Sequence, residues 1–245
     1  MTPKRRLPSA SRPPPANHLL AALPPEDYAR LAPTFRNTPL KLKRLLHKPG
    51  EAVDPVYFPG GGFASVVTVL KDGGMVEVAT IGREGMLGMS AVLNGDPSPA
   101  ATMVQAETDV CYTMSATAFR QEMDRRGPFY ELLTRYGQAL VGFIMQSTAC
   151  NAVHSVEQRL SRWLLLAHDR VGKDEFPLTQ EFAAMMLGTS RPTVTVVAGT
   201  LQKAGLITYH RGHVTIVDRE NLEAASCECY QTATDLLRAV TRRHS

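Results

Sequence analysis

Residues 178–207 read LTQEFAAMMLGTSRPTVTVVAGTLQKAGLI, and their spacing is typical of a helix-turn-helix. That motif needs a small residue where two helices cross, a glycine that ends the first helix, and an apolar residue that returns the second helix to the core. Ala184, Gly188 and Val194 supply these residues in that order. The stretch therefore predicts two short helices held at a fixed crossing.

The residues at both predicted helix starts support this interpretation. Thr179 and Ser190 can each cap a helix through a side-chain oxygen. Pro192 suits a first turn because its missing N–H would be unpaired there. Two apolar strands are predicted next, at residues 206–209 and 214–217, and they are joined by the basic turn His-Arg-Gly-His. A helix-turn-helix followed at once by a basic hairpin is typical of a winged helix.

The second helix would present one face to a DNA groove. Its periodicity turns three apolar side chains inward, those of Val194, Val197 and Leu201. Arg191 can donate two hydrogen bonds to a guanine, while Thr195 and Val196 can contact a thymine methyl group. Hydroxyl and amide side chains and the wing arginine suit phosphates, which fix the register without reading sequence. The predicted DNA-binding residues are Thr179, Gln180, Ser190, Arg191, Pro192, Thr193, Thr195, Val196 and Arg211. An ion pair at the helix start stays open as an alternative for Arg191.

Composition limits the class of protein. The 245 residues are 44% hydrophobic and 20% charged, with a formal net charge of +4. These values exclude a wholly disordered chain and permit a nucleic-acid partner. No apolar run approaches the roughly 20 residues of a membrane-spanning helix, and no apolar stretch follows the basic start as in a secretory signal. Four cysteines are too few for a disulfide framework. We therefore expect a cytoplasmic protein with no membrane partner.

The N-terminal half predicts a β domain behind a tail. Residues 1–17 carry four basic side chains, several prolines and no acid, which predicts a flexible tail. Between residues 18 and 126, short apolar runs alternate with turn residues. The runs at 40–46, 63–70 and 75–81 are examples, and Lys-Asp-Gly-Gly between the last two is a hairpin signal. Regularly spaced strands of this kind favour a small antiparallel barrel or jelly roll.

A long helix is predicted at residues 127–153, opened by Gly-Pro. Seven of its residues recur at alternating spacings of four and three, a heptad pattern. They are Phe129, Leu133, Tyr136, Leu140, Phe143, Ser147 and Cys150. Such a seam can pack on its own domain or on a second copy of the chain. We favour a homodimer, because the helix lies between two domains and its other face is also partly apolar.

Residues 154–245 would complete the chain as a winged-helix domain that ends in a helix from about residue 219. The predicted fold class is therefore α+β. It comprises an N-terminal antiparallel β-barrel or jelly roll, a long dimerisation helix and a C-terminal winged helix-turn-helix.

This order of domains resembles the Crp/Fnr superfamily of bacterial transcription regulators. The resemblance covers roughly residues 18–220 and is carried by Val-Tyr-Phe-Pro at 56–59, Ile-Gly-Arg-Glu-Gly-Met-Leu-Gly at 81–88, and residues 178–207. It implies a cyclic-nucleotide-binding-like domain and a homodimer that binds a pseudo-palindromic site on double-stranded DNA. RNA polymerase is a further expected partner.

The sequence departs from the family at two functional places. Cyclic-nucleotide-binding members follow the glycines with a Glu and later use an Arg for the phosphate. Here Met89 and Ser90 follow Gly88, and the Arg position falls within residues 98–101. A buried phosphate without a cation is costly, so cyclic AMP and cyclic GMP are not expected to bind. The effector and its binding residues stay unassigned, and the glycines are interpreted as barrel turns. Pro192 and Val196 replace a Glu and an Arg of the best-known activator, so its half-site is not assumed.

No enzymatic, cofactor or metal function is predicted. The chain carries no P-loop, dinucleotide fingerprint or nucleophile–base pattern. No cysteine precedes Cys111, which excludes the N-terminal cysteine cluster of the family's iron–sulfur branch. Cys227 and Cys229 could bind a metal only with further ligands, so we favour packing for them and an inert buried thiol for Cys150. A regulatory module that binds a ligand or a protein without DNA is the alternative function.

Overall fold

The computed structural model describes residues 14–92 and 97–242. Most of the predicted tail therefore lies outside the described residues. The chain enters through α1 (His18–Ala21) and α2 (Pro25–Leu31), which is followed by a 3-10 turn at Ala32–Thr34. Asn17 caps α1, accepting a hydrogen bond from the Leu20 N–H. Its buried side-chain amide also donates to the carbonyls of Pro59 and Gly85, 2.9 Å each, and so ties the entry to the β domain.

Seven strands form two antiparallel sheets in the N-terminal half. They are β1 (Arg36–Asn37), β2 (Leu45–His47), β3 (Val56–Pro59), β4 (Phe63–Val69), β5 (Met75–Ile81), β6 (Ala101–Ala106) and β7 (Cys111–Met114). One sheet has the order β1-β7-β3 and the other β2-β6-β4-β5. The two sheets share one apolar core, which confirms the predicted antiparallel, jelly-roll type of domain.

The predicted hairpin is present, whereas the first predicted strand is shorter than expected. In the β4–β5 turn, Gly73 has a φ of +85°, which glycine adopts without strain. The run at 40–46 is interrupted because Lys43 also has a positive φ and the Arg44 N–H bonds the Lys41 carbonyl. Only a bridge at Leu40 and the short β2 remain of that run.

Three helices connect the two ends of the molecule: α3 (Ala116–Asp124), α4 (Pro128–Val153) and α5 (Val156–Val171). Ser155 and Gln158 form the capping box that opens α5. None of the helices in the described part of the chain combines the length and apolar character needed to cross a membrane.

The heptad seam of α4 lies inside the chain. All seven residues are buried within the chain, five of them in the main core and Cys150 in a separate cluster with Cys227 and Cys229, and this corrects their assignment as dimer contacts. They are Phe129, Leu133, Tyr136, Leu140, Phe143, Ser147 and Cys150. The ring centroids of Phe129 and Phe119 are 5.8 Å apart, for example, and the Tyr136 hydroxyl donates to the Met86 carbonyl at 3.1 Å. A side chain held in this way cannot also contact a second copy.

The C-terminal part carries β8 (Glu175–Pro177), α6 (Gln180–Leu187), α7 (Arg191–Lys203), β9 (Ile207–His210), β10 (His213–Ile216), α8 (Arg219–Ala224) and α9 (Cys229–Thr241). β10 pairs with β9 and also with β8, so the two strands of the wing form part of a three-stranded sheet. The single final helix expected from about residue 219 is in fact two helices, α8 and α9.

A buried arginine joins the C-terminal part to the β domain. The Arg170 guanidinium of α5 is 5% exposed and donates to the Glu84 carboxylate at 2.8 Å. It also donates to the carbonyls of Leu166 and Thr80, at 2.8 and 3.1 Å. Burying a charge is costly unless it is paired and hydrogen-bonded, and these contacts meet that requirement.

A second polar contact lies on the same face of α5. The Trp163 indole N–H donates to the Glu77 carboxylate at 2.9 Å, and Ser65 donates to the same carboxylate. Burial nevertheless raises the pKa of Glu77 to about 7, against the effect of these two hydrogen bonds.

We predict that Arg170→Ala lowers the free energy of unfolding by about 3 kcal/mol, because the Glu84 carboxylate loses its partner. Urea unfolding followed by the fluorescence of Trp163, the only tryptophan, measures this change directly. Arg238→Ala, which removes an exposed arginine from α9, is the control and should change stability by less than about 0.5 kcal/mol. Equal stability of the two variants would contradict the structural role of Arg170.

Candidate nucleic-acid interface

The predicted helix-turn-helix is formed by α6 and α7. Thr179 caps α6 and Ser190 caps α7, each accepting from the N–H three residues later, as expected. Gly188 ends α6 with a φ of +59°, a conformation that a side chain would disfavour. Ala184 and Val194 are both buried where the two helices pack. The two caps, the glycine and the small residue therefore set the crossing of α6 and α7, as their spacing predicted.

The outer face of α7 is open to solvent. Arg191, Pro192, Thr195 and Val196 are exposed, and the Val196 side chain is 70% exposed although it is apolar. Arg191 has no ion-pair partner among the described residues, so the alternative of a salt bridge at the helix start has no support there. An exposed arginine in the first turn of a helix can reach a base edge.

Polar side chains connect the two helices along this face. The Thr195 hydroxyl lies 2.7 Å from the Gln180 amide oxygen, which brings the start of α6 against the middle of α7. Ser190 and Thr193 place their hydroxyl oxygens 2.8 Å apart. Thr179, Gln180, Ser190 and Thr193 form a polar rim beside Arg191, where the sequence predicted phosphate contacts. Of the predicted inward residues, Val194 and Leu201 are buried, whereas Val197 is only half-buried.

The wing lies next to the start of α6. Arg211 and Gly212 both have positive φ values, 45° and 81°, as a two-residue hairpin turn requires. The Leu178 N–H donates to the Gly212 carbonyl at 2.8 Å, so the wing tip and the α6 cap are neighbours. The Gln202 side chain of α7 accepts from the Tyr209 N–H at 3.0 Å and so ties strand β9 to α7. Arg211 is exposed at the tip of this hairpin.

A cleft of about 920 Å³ lies between the β domain and α4. Strands β4 and β5, the segment after Gly88, residues 98–102, α3 and α4 line it. Its polar lining includes Arg120, Arg126 and Gln138. Sequence reasoning missed these residues because they come from α3, the turn after it and α4, far from the glycine segment, and no local motif links them.

The segment that resembles a phosphate cassette is shaped by packing. A Cβ on Gly85 would lie 2.4 Å from the Tyr136 hydroxyl, and Gly88 has a φ of +96°. Close packing therefore requires glycine at position 85, and the backbone conformation favours glycine at position 88. Both agree with the interpretation of these glycines as barrel turns. At the place of the family's arginine, the Ser98 hydroxyl donates to the Ala100 carbonyl at 2.7 Å. No cationic side chain stands within residues 98–101.

Comparisons with known proteins agree with both halves of this architecture. The model of the cyclic nucleotide-binding domain matches residues 39–126, and that of the Crp-like helix-turn-helix domain matches residues 158–225. No protein of curated function matches the chain by sequence.

Solved structures share the fold at low sequence identity. The CRP-family transcriptional regulator TTHB099 from Thermus thermophilus is 19% identical, with 77% of this chain and 96% of that chain covered and a TM-score of 0.63. FixK2 from Bradyrhizobium japonicum is 13% identical, with 79% and 98% covered and a TM-score of 0.66. Because the two domain models match residues 39–126 and 158–225 of one chain, the chain belongs to the Crp/Fnr superfamily of transcription regulators.

Proposed function

We propose that the protein is a homodimeric transcription regulator that reads a pseudo-palindromic DNA site through α7. The observation that carries the proposal is the open face of α7, on which Arg191 is exposed and unpaired within the described residues. In a helix-turn-helix the first residues of the second helix approach base edges in the major groove. Two copies of the chain would then bind two half-sites that lie about one turn of the DNA helix apart.

The residues around Arg191 divide into two roles. Arg191 would bind a guanine, with Thr195 and Val196 against a neighbouring thymine methyl group. The polar rim of Thr179, Gln180, Ser190 and Thr193 would contact phosphates on one side, and Arg211 would do so from the wing. The contact between Gln180 and Thr195 supports this division, because it holds the rim at a fixed distance from the reading face.

The dimer surface would be the exposed side of α4. Its side chains recur at spacings of four and three, the heptad rhythm of a coiled coil. They are Thr134, Gln138, Val141, Met145, Thr148 and Ala152, and we name this set the outer stripe. Val141 and Met145 are 57% and 68% exposed, which is unusual for large apolar side chains on adjacent turns. A second copy of the same helix fits this spacing and would bury them.

The outer stripe also borders the cleft. Thr134, Gln138 and Val141 belong both to the stripe and to the cleft lining. A molecule in the cleft would therefore lie against the dimer surface, and its binding would change how two copies of α4 meet. We propose that effector control, in which the effector is not a cyclic nucleotide, acts through this shared wall.

We predict that Arg191→Ala weakens binding to the selected site by about 1–3 kcal/mol per half-site and relaxes selectivity at one guanine. Arg211→Ala should weaken all sequences alike and reduce the salt slope by about one unit, as a phosphate contact does. Sites are first selected from random duplexes with the purified protein. Affinities for selected and random duplexes at two salt concentrations then separate the two effects.

Both variants should keep the melting temperature of the parent protein, because neither side chain contacts the core. Unchanged affinity and site preference in Arg191→Ala would show that α7 does not read bases. No sequence-selective retention of the parent protein on DNA would favour a ligand- or protein-binding module instead.

We predict that Met145→Glu converts the dimer into a folded monomer, since two facing carboxylates would be buried without a partner. Sedimentation velocity measures the molecular mass, and circular dichroism checks the fold. Val217→Glu changes another exposed apolar residue outside α4 and should leave the dimer intact. A dimeric Met145→Glu variant would exclude the outer stripe as the interface.

Cyclic AMP and cyclic GMP should not bind at micromolar concentration, because residues 98–101 offer no cation to a phosphate and the Ser98 hydroxyl is already used. Isothermal titration calorimetry with each nucleotide tests this. Micromolar affinity for either would show that another cation of the cleft, such as Arg126, has taken over the phosphate.

A further inference from the structure

Four potential metal ligands converge where α4 meets the start of α9. Cys150 lies in the last turn of α4 and His154 follows its end, while Cys227 and Cys229 flank the residue that precedes α9. The three sulfur atoms and one imidazole nitrogen all lie within 4.8 Å of one another. Cys150 and Cys227 are 77 residues apart in the sequence, so the fold alone creates this cluster.

The distances fit one tetrahedrally coordinated ion. The sulfur atoms of Cys150 and Cys227 are 3.5 Å apart, and Nδ1 of His154 lies 3.6 Å from the sulfur of Cys229. Around Zn²⁺, with bonds of about 2.3 Å to sulfur and 2.0–2.1 Å to nitrogen, tetrahedral ligand atoms stand about 3.5–3.8 Å apart. A cluster of several irons would hold its ligands further apart, because each ligand binds a different metal atom.

The groups around the four ligands have the arrangement of an outer shell. Nε2 of His154 lies 3.3 Å from the Glu228 carboxylate, so the imidazole is oriented with Nδ1 toward the sulfurs. A carboxylate on the far nitrogen is the common partner of a metal-bound histidine. The Gln146 side-chain amide donates to the Cys229 sulfur at 3.0 Å, a contact that favours a thiolate.

Burial and charge also suit a bound cation. All three cysteines are buried, and they form a cluster separate from the main core. Three thiolates and Zn²⁺ leave one negative charge, which the N-terminus of α9, beginning at Cys229, and the buried Arg162 would offset. Arg162 donates to the Ser147 hydroxyl at 2.8 Å, one turn before Cys150.

We propose that Cys150, His154, Cys227 and Cys229 bind one structural Zn²⁺ ion per chain. Thiolate and imidazole ligands in a closed tetrahedral set are those of structural zinc sites. This replaces the packing role expected for Cys227 and Cys229 and the inert role expected for Cys150. The ion would fasten α9 to the junction of α4 and α5, because His154 lies in the two-residue connection between those helices.

The first test measures metal in the full-length protein, purified without chelator and without added metal. Inductively coupled plasma mass spectrometry should find one zinc per chain, released when a mercurial reagent blocks the thiols. The chelated protein should bind Co²⁺ and show the d–d and thiolate charge-transfer bands of a tetrahedral sulfur-rich site. Protein that neither contains zinc nor binds Zn²⁺ or Co²⁺ would overturn the proposal, as would iron with acid-labile sulfide.

Variants locate the ion. Cys227→Ser should lose the metal, whereas Cys111→Ser, which changes the lone cysteine of β7, should keep it. Glu228→Ala removes a 75% exposed carboxylate and should weaken Zn²⁺ binding about 10- to 100-fold without unfolding the chain. Glu223→Ala, an exposed glutamate of α8, is the matched control and should bind as the parent does. Equal affinity in the two glutamate variants would contradict the assigned outer shell.

Hydrogen exchange tests the consequence for the fold. Removing the ion from the parent protein should increase exchange along α9 and at the junction of α4 and α5, while the β4–β5 hairpin stays protected. Unchanged exchange at α9 after complete removal of zinc would contradict a fastening role for the ion.

Discussion

The position of the helix-turn-helix depends on one buried guanidinium. Arg170 of α5 is held by the Glu84 carboxylate and the Thr80 carbonyl of the β domain, and these two contacts favour one orientation of α5 on that domain. Arg159, on the same helix, donates to the Leu187 carbonyl at the end of α6 at 2.9 Å. The orientation of α5 is therefore passed directly to the helix-turn-helix. Since an unpaired charge in this place is strongly disfavoured, small rotations of α5 are disfavoured with it.

Helix α4 carries two heptad patterns, one buried inside the chain and one exposed. The exposed pattern is the proposed dimer surface. The inner side of α4 carries large apolar residues that fill the space beside the β domain, and its outer stripe keeps the same heptad rhythm with smaller or mixed side chains. Sequence spacing alone cannot distinguish the two, because both obey the same period. Side-chain size decides: aromatic residues such as Phe129 and Phe143 suit a deep core, whereas Val141 and Met145 suit a narrow helix pair.

Local signals predicted the parts of the fold that local physics controls. The caps at Thr179 and Ser190, the glycine at 188 and the β4–β5 hairpin each depend on a few adjacent residues. Strand β8 was not predictable, because its pairing with β10 comes from a tertiary contact rather than from its own pattern. The cleft lining and the cysteine–histidine cluster were missed for the same reason, since their members are assembled from distant segments.

The junction of α4 and α5 is where these features meet. α4 ends at Val153 and α5 begins at Val156, so in the proposed dimer a change in how two copies of α4 pack would pass through a short connection to reach α7. A flexible connection would absorb such changes. Here the capping box of Ser155 holds the start of α5, and the cluster around His154 brings the end of α4 against the start of α9. In the proposed dimer, a stiff junction of this kind would let a change at the cleft alter the distance between the two copies of α7, on which binding to two half-sites depends.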